Sequence, residues 1–379
     1  MKKKIKYGII FILILLIGII SINLYQPDKE QTLKGKIEII AYDDSYNYLV
    51  ECAEKFMDLN DKTTVTVKKI YSPDEILSEI EQNNNKVTYI AQINRTDFDT
   101  LGFERFNYLE EQQNILNTYS KNFAPYRLQQ TKYDDVSIGI PFTSRPLALY
   151  IREDMLEEYG YNRDEMNTWN DVKNIGIDIY DKSNGKVRII NATGQDYEDL
   201  VSLLTMQYMG KDKDDENIKS QVMNMLDDLK NNNVLNMTEG GEFLGRISSI
   251  NGLKEIIALD ADCKWSIENV PCISHGTGKF YGSEGDNLVV LNDVDDNKKL
   301  VEKFITYVMT NNSDAVEYVE QGKFFSSYLY TYKNKDIEVE PNNFIGSSPL
   351  VVLSNIEEKA IPINDYSQYM NIKNSILNS

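Results

Sequence analysis

The stretch Gly139–Arg152 constrains the fold more than any other part of the chain. It reads Gly-Ile-Pro-Phe-Thr-Ser-Arg-Pro-Leu-Ala-Leu-Tyr-Ile-Arg. Pro141 and Pro146 lack a backbone N–H and push the residues before them, Ile140 and Arg145, toward extended conformations. The apolar run Leu147–Ile151 then predicts a buried strand. A stiff extended segment in mid-chain is what two lobes joined by a hinge would require. A proline-bracketed loop leading into an ordinary core strand would look the same locally, so the order of elements on either side has to decide.

Before it, Lys36–Ala41 alternates as a strand, and Tyr42–Ser45 is a polar turn. A helix follows with Leu49, Cys52, Ala53 and Phe56 on one face. Thr64–Ile70 is a second alternating strand. Ser72, Pro73 and Glu75 make a helix start, with Ser72 as N-cap, Pro73 in the first turn and Glu75 closing a capping box. Val87–Ile93 is a third strand. This β-α-β-α-β order predicts a parallel sheet with helices packed on it. Ligands of such sheets lie at the carboxyl ends of the strands. Tyr42 and Asp43 occupy that edge, as do Asn94, Arg95 and Asp97.

After the proline-framed stretch a second α/β region follows. Asp154–Tyr159 predicts a short helix ended by Gly160, and Thr168 is the N-cap of another, with Asp171 in its first turn. Val187–Ile190 reads as a strand. One helix carries Tyr197, Leu200, Val201, Leu204 and Tyr208 on one side, and a second is marked by Ile218, Val222, Met225 and Leu229. Strands at Trp265–Val270 and Asn287–Leu291 are separated by the glycine-rich Gly276–Gly285. A last amphipathic helix carries Val301, Phe304, Ile305 and Val308.

The N-terminus states where the chain works. Lys2, Lys3, Lys4 and Lys6 precede Tyr7–Leu24, which is almost continuously apolar and long enough to span a bilayer. The positive-inside rule leaves the N-terminus in the cytoplasm and the body outside. No small-x-small cleavage site follows, so residues 1–26 read as an anchor in preference to a cleaved signal peptide; both readings export the body to the extracellular face of the membrane. Residues 27–35 are a polar linker. With 40 basic against 59 acidic residues the formal charge is −19, which repels nucleic acid. It also disfavours bulk attraction of anions, although a local basic pocket can override it. The 25 tyrosines supply flat apolar faces with polar tips, suited to stacking on sugar rings.

Signals for catalysis, metals and cofactors are missing. His275 is the single histidine, read as part of a solvated loop, so neither a zinc motif nor a histidine cluster can be built. No Gly-x-Ser-x-Gly elbow occurs. Gly276-Thr-Gly-Lys279 lacks the earlier glycine of a phosphate loop, and Phe280 stands where Ser or Thr is needed. Asp293–Asn297 is rich in carboxylates, but Lys298 replaces the glycine of a calcium loop. No carboxylate pair stands out for glycoside cleavage. Cys263 and Cys272 could pair, though nothing in their spacing demands it, and Cys52 reads as a buried, inert thiol.

Ile140–Leu156, followed by Gly160 and Thr168-Trp169, resembles the mid-chain signature of family 1 extracellular solute-binding proteins, the substrate receptors of carbohydrate-type ABC importers. Trp265–Pro271 with the glycine-rich loop and Asn287–Leu291 is similar to a second family stretch, and Val301–Met309 with Val316–Gly322 to its late helices. The resemblance covers nearly everything after residue 35. It implies a two-lobed periplasmic-binding-protein-like α/β fold of type II, with hinge-connected lobes. These would be 36–143 plus about 286–328, and 144–285 plus about 329–379. It implies a solute cleft bordered by Tyr42, Asp43, Asn94, Arg95, Asp97, Arg145, Tyr281, Gly282, Ser283 and Glu284. The partners it implies are a small polar solute, most readily a sugar, and an ABC permease in the membrane. Two departures stand out: no lipoprotein cysteine is present, and Leu253 stands where the family often places a ligand-stacking Trp. They motivate a second reading, a membrane-anchored sensor or adaptor of the same fold. An exported glycan hydrolase is a third.

Overall fold

The computed structural model describes residues 33–379 except Pro73, 83–87, 103–109, Asp134, 260–261, 292–296, Asn334 and Val339. The anchor or signal segment 1–26, most of the linker, Pro73 of the capping box, Val87 and the acidic turn at 293–296 lie outside the described residues. Among those described, no helix is long and apolar enough to cross a membrane.

The chain forms two α/β lobes, each built on a five-stranded sheet. In the first, β1 (Gly35–Ala41) lies between β2 (Thr63–Lys69) and β3 (Thr88–Asn94), all parallel. The helices Ser45–Leu59 and Glu75–Gln82 make the crossovers that parallel pairing requires. Six of the seven residues of β3 are buried, which fits a central strand covered on both faces. β2, at the edge, alternates buried and exposed. The helix Ser45–Leu59 buries Tyr48, Leu49, Cys52, Ala53 and Phe56, the stripe that the sequence predicts. Glu75 Oε1 accepts from Ser72 N at 3.0 Å, the carboxylate half of the expected capping box.

β4 (Gly139–Pro141) ends the first lobe's sheet, and β5 (Ala148–Arg152) enters the second. The proline-framed stretch therefore runs from one sheet to the other. In the second sheet β5 is flanked by β8 (Glu242–Ser248) and β9 (Trp265–Asn269), both antiparallel to it. Beyond β8 come β6 (Val187–Asn191) and β7 (Leu235–Asn236), parallel to their neighbours. The chain then returns: β10 (Asp286–Val290) lies antiparallel between β3 and β4 in the first sheet.

Thr168 caps the helix Trp169–Lys182 in a reciprocal box with Asp171. Gly160 turns the chain with φ +83°, a conformation that suits a residue without Cβ. Two helix readings need correction. The helix Gly194–Met209 is buried all round from Leu200 to Tyr208, because the sheet covers one side and the helices Asp215–Asn231 and Tyr366–Leu377 cover the others. On Asp215–Asn231 the expected Ile218, Val222 and Leu229 are buried, joined by Leu226, while Met225 is half-buried. Cys52, Cys263 and Cys272 are buried free thiols, so the open pairing of the last two is settled against a disulfide. Burial pushes the Cys52 thiol up to about 12, which keeps it protonated and unreactive.

Candidate functional site

Three segments meet where the lobes join, and they hydrogen-bond to one another. The first crossing pairs with the second along its length: Leu147 N donates to Tyr281 O at 2.9 Å, Ser283 N to Arg145 O at 3.1 Å, and Phe142 N to Asp286 O at 2.9 Å. On its other side Ser144 N donates to Phe325 O at 2.8 Å and Ser327 N to Phe142 O at 2.9 Å. The prolines fit this arrangement. Arg145 presents its carbonyl to Ser283 N, and neither ring removes an N–H that these bonds use.

Above this junction lies a cavity of about 220 Å³. Its lining comes from both lobes and from all three segments. Tyr42, Asp43, Ser45, Gln92 and Asn94 come from the carboxyl ends of β1 and β3 and the helix after β1. Thr143, Ser144, Arg145, Glu284, Gly285 and Asp286 come from the crossings, Ser249, Ile250 and Asn251 from the second lobe, and Lys323, Phe324 and Phe325 from the third segment.

On the first-lobe side the polar groups hold each other. Tyr42 donates its hydroxyl to Asp286 Oδ1 at 2.6 Å, while Gln92 Nε2 donates to Oδ2 at 2.7 Å and Thr143 Oγ1 to the same oxygen at 3.2 Å. Ser45 Oγ donates to Gln92 Oε1 at 3.0 Å and so fixes which way that amide faces. Burial and the neighbouring Asp286 raise the Tyr42 phenol well above its ordinary value, so it stays a donor. Asp43 sits at φ 56°, a left-handed conformation that costs a non-glycine residue energy and holds the side chain at the cleft. Partial desolvation, together with the charges of Asp286 and Asp44, raises its carboxyl, against the pull of Arg145 and Lys254.

Arg145 Nη2 lies 3.2 Å from Asp199 Oδ1, on the helix Gly194–Met209. Glu284 receives Lys373 Nζ at 2.6 Å from the last helix. Burial works to raise Glu284, but Lys373, Arg145 and Arg127 outweigh it and hold the carboxyl below its usual range.

The ten residues named from the sequence divide evenly. Tyr42, Asp43, Asn94, Arg145 and Glu284 line the cavity. The other five stand behind it or away from it. Arg95 places its guanidinium among the rings of Phe98, Tyr133 and Tyr366, 5.4–5.8 Å from their centres. Asp97 follows Asn94, whose side chain accepts from its N–H at 3.1 Å, and burial, with Asp286 adding, pushes its carboxyl up to about 6. Tyr281 is buried and lines a separate cavity of about 420 Å³ in the second lobe. Gly282 lies flat against Tyr126, where a Cβ would strike the phenol. Ser283 is used through its backbone, its N–H bonding Arg145 O and its carbonyl accepting from Gln130 Nε2 at 3.2 Å.

Some of the missed lining carried a signal. Gln92 lies two residues before Asn94 on the same strand and therefore on the same face. Thr143 and Ser144 share the proline-framed stretch with Arg145. Ser249–Asn251 lie just before Leu253, in the stretch the family resemblance ends on a ligand-stacking Trp, while Asp286 and Lys323–Phe325 carried no signal. Leu253, at the position of the expected stacking Trp, is a core residue 1% exposed. Among the described residues no group of three or more His, Cys, Asp and Glu side chains is placed to hold a metal ion.

The family model described as bacterial extracellular solute-binding protein matches residues 51–342. The chain belongs to that family. A search of curated proteins found no match to this solute-binding protein. Solved structures share its fold at low identity. MalE, the sugar-binding protein of Xanthomonas citri, superposes with a TM-score of 0.72 at 14% identity, covering 90% of each chain. The GacH receptor of Streptomyces glaucescens gives 0.69 at 14% identity, over 91% of this chain and 94% of that one. Maltose-bound MalE3 of T. maritima gives 0.65 at 14% identity, over 90% and 95%. At such identities the likeness is one of fold.

Proposed function

We propose that this solute-binding protein is an extracellular receptor that takes a small carbohydrate into the cleft between its lobes and hands it to an ABC importer. The observation that carries the reading is the position of the cavity. It is lined from both lobes and sits directly on the three crossing segments, so a solute held there bonds to both lobes at once. Such a solute binds the closed arrangement better than an open one, and that difference drives closure. Carboxylates, amides and an arginine fork are the groups that bond sugar hydroxyls. The sugar-binding neighbours in fold support the carbohydrate class.

In this reading Tyr42, Asp43, Asn94, Arg145 and Glu284 face the solute, and Arg95, Asp97, Tyr281, Gly282 and Ser283 support the cleft from behind. The lobes are 36–143 with about 286–328 and 144–285 with about 329–379. The helix Tyr366–Leu377 packs on Gly194–Met209, which supports assigning the C-terminus to the second lobe. Residues 1–26 tether the receptor to the membrane beside its permease.

A thermal-shift panel of mono- and disaccharides on the full chain tests this. A ligand at a hundred times its Kd stabilises the native state by about 2.7 kcal/mol. At least one sugar is expected to raise Tm by several degrees. No shift with any sugar at millimolar concentration would overturn the carbohydrate reading.

A further inference from the structure

The glycine-rich run Gly276–Gly285 does more than form the second crossing. Tyr281 serves the junction only through its backbone, where its carbonyl accepts from Leu147 N at 2.9 Å. Its side chain lines the second-lobe cavity of about 420 Å³, which is larger than the cleft cavity of about 220 Å³. Small-molecule pockets have volumes of roughly 300–1,000 Å³.

Tyr281 is 5% exposed, and among the described residues its hydroxyl has no hydrogen-bond partner. Burial, with Cys272 adding, pushes the phenol up to about 12, so it keeps its proton and remains a donor. Gly278 leaves the space beside the hydroxyl clear, since a Cβ there would come within 2.9 Å of Tyr281 Oη and would strike Ile361. A largely buried donor without an acceptor is destabilising unless something arrives to accept from it.

The rest of the lining divides into an apolar wall and a polar rim. Met206, Met209, Ile361, Pro362 and Ile363 form the wall. Thioethers adapt to irregular shapes and pack well against aromatic ring edges, and the Tyr281 ring adds a face for stacking. On the rim the carboxylates are already engaged. Asp212 accepts from the N–H groups of Lys213 at 2.7 Å and Asp214 at 3.2 Å, and Asp365 from Gln368 N at 2.9 Å. Gln368 Nε2 donates to Lys213 O at 3.0 Å, and Lys213 itself is exposed, with its ammonium in water.

We propose that this cavity is a second ligand site, distinct from the cleft, for an uncharged aromatic molecule whose ring packs on the methionines and whose oxygen acceptor takes the Tyr281 hydroxyl. A charged ligand would lose its hydration against a wall that offers no buried counter-charge, and a sugar would set most of its hydroxyls against apolar side chains. The site is independent of the reading of the cleft, because no residue lines both cavities.

Fluorine NMR titrations of the full chain with para-fluoroacetophenone, para-fluorotoluene and para-fluorobenzoate test the proposal. The ketone is expected to bind saturably at millimolar concentration or below. Tyr281→Phe is expected to weaken the ketone about fivefold. It should leave para-fluorotoluene binding and the Tm of the unliganded chain unchanged, because the hydroxyl it removes bonds nothing in the protein. Met209→Trp fills the cavity from its half-buried wall and is expected to abolish binding of both neutral probes. Absence of saturable ketone binding would overturn the proposal, as would an unaffected Tyr281→Phe. Ketone binding that survives Met209→Trp would overturn the assignment to this cavity, and tighter binding of para-fluorobenzoate would overturn the uncharged class.

Discussion

The junction beneath the cleft and the cleft's second-lobe wall both bury polar groups, but they treat them in opposite ways. At the junction nearly everything is paired. Glu357, 0% exposed, accepts from Tyr126 Oη at 2.5 Å and from Ser144 Oγ at 2.8 Å, and Ser144 also meets Ser327 Oγ at 2.8 Å. Arg127, also 0% exposed, donates to Asp286 O at 2.8 Å and Asn287 Oδ1 at 3.0 Å, and bonds Gln130 and Ser327 as well. On the cleft wall, Ser249 Oγ and Arg145 Nε are buried without partners. A buried unpaired donor costs about 1–3 kcal/mol. The molecule avoids that cost at Glu357 and Arg127 and carries it at Ser249 and Arg145 beside the cavity.

Substitutions can break this contrast, and the largest effect is expected at Arg127. Arg127→Ala strips four partners in a sealed site and should cost about 3–5 kcal/mol by urea denaturation. Loss well below that would mean the junction is wetter than its burial indicates.

Glu357 tests the same region by pH. Burial pushes its carboxyl up to about 7 from 4.5, against the opposing effects of Tyr126, Ser144 and Arg127. The folded state thus holds the proton more tightly than the unfolded chain. Its contribution to stability is present below pH 4.5 and is lost as pH rises to 7, by about 3 kcal/mol at most. Glu357→Gln keeps an acceptor for Tyr126 and cannot ionise. Stability curves of the two proteins should diverge across that window, with the variant the flatter. Parallel curves would show that Glu357 titrates like an exposed glutamate.

Gly282→Ala sharpens the division between cleft and support, because its Cβ would land on the Tyr126 phenol. It should lose about 1–3 kcal/mol of stability through overpacking. A loss of solute affinity at unchanged stability would return Gly282 to the cleft. Tyr42→Phe removes one donor from Asp286 and should cost about 1 kcal/mol.

The smallest effect is expected at Lys254, which bridges the lobes to Asp44 with both side chains substantially exposed. Lys254→Ala should change stability by less than about 1 kcal/mol, and the difference should vanish in high salt.

The contrast also separates what was legible in the sequence from what was not. Local rules sufficed for the elements of the first sheet, for the Thr168 box and for the extended run from Gly139 to Arg152. Each depends on residues within a few positions of one another: alternation, a cap and its partner, a proline and the residue before it. Half of the named site residues reach the cavity by the same logic, since strand ends and the proline-framed crossing are placed by topology. The helix Gly194–Met209 defeated the one-sided reading because burial on its far side comes from Tyr366–Leu377, more than 150 residues on in the chain.

By itself the sequence determined an exported, acidic, two-region α/β chain with a stiff crossing between its parts. Only the tertiary structure decided that Tyr281, Gly282 and Ser283 lie outside the lining of the cleft cavity, that Leu253 is core, and that Asp286 and Ser249 line that cavity. The physical reason is that a buried polar group is judged by its partners. Those of Asp286 lie at Tyr42, Gln92 and Thr143, and the fixed point of Ser249 is Tyr150. No pattern along the chain records which distant groups are brought together or which are left without a partner.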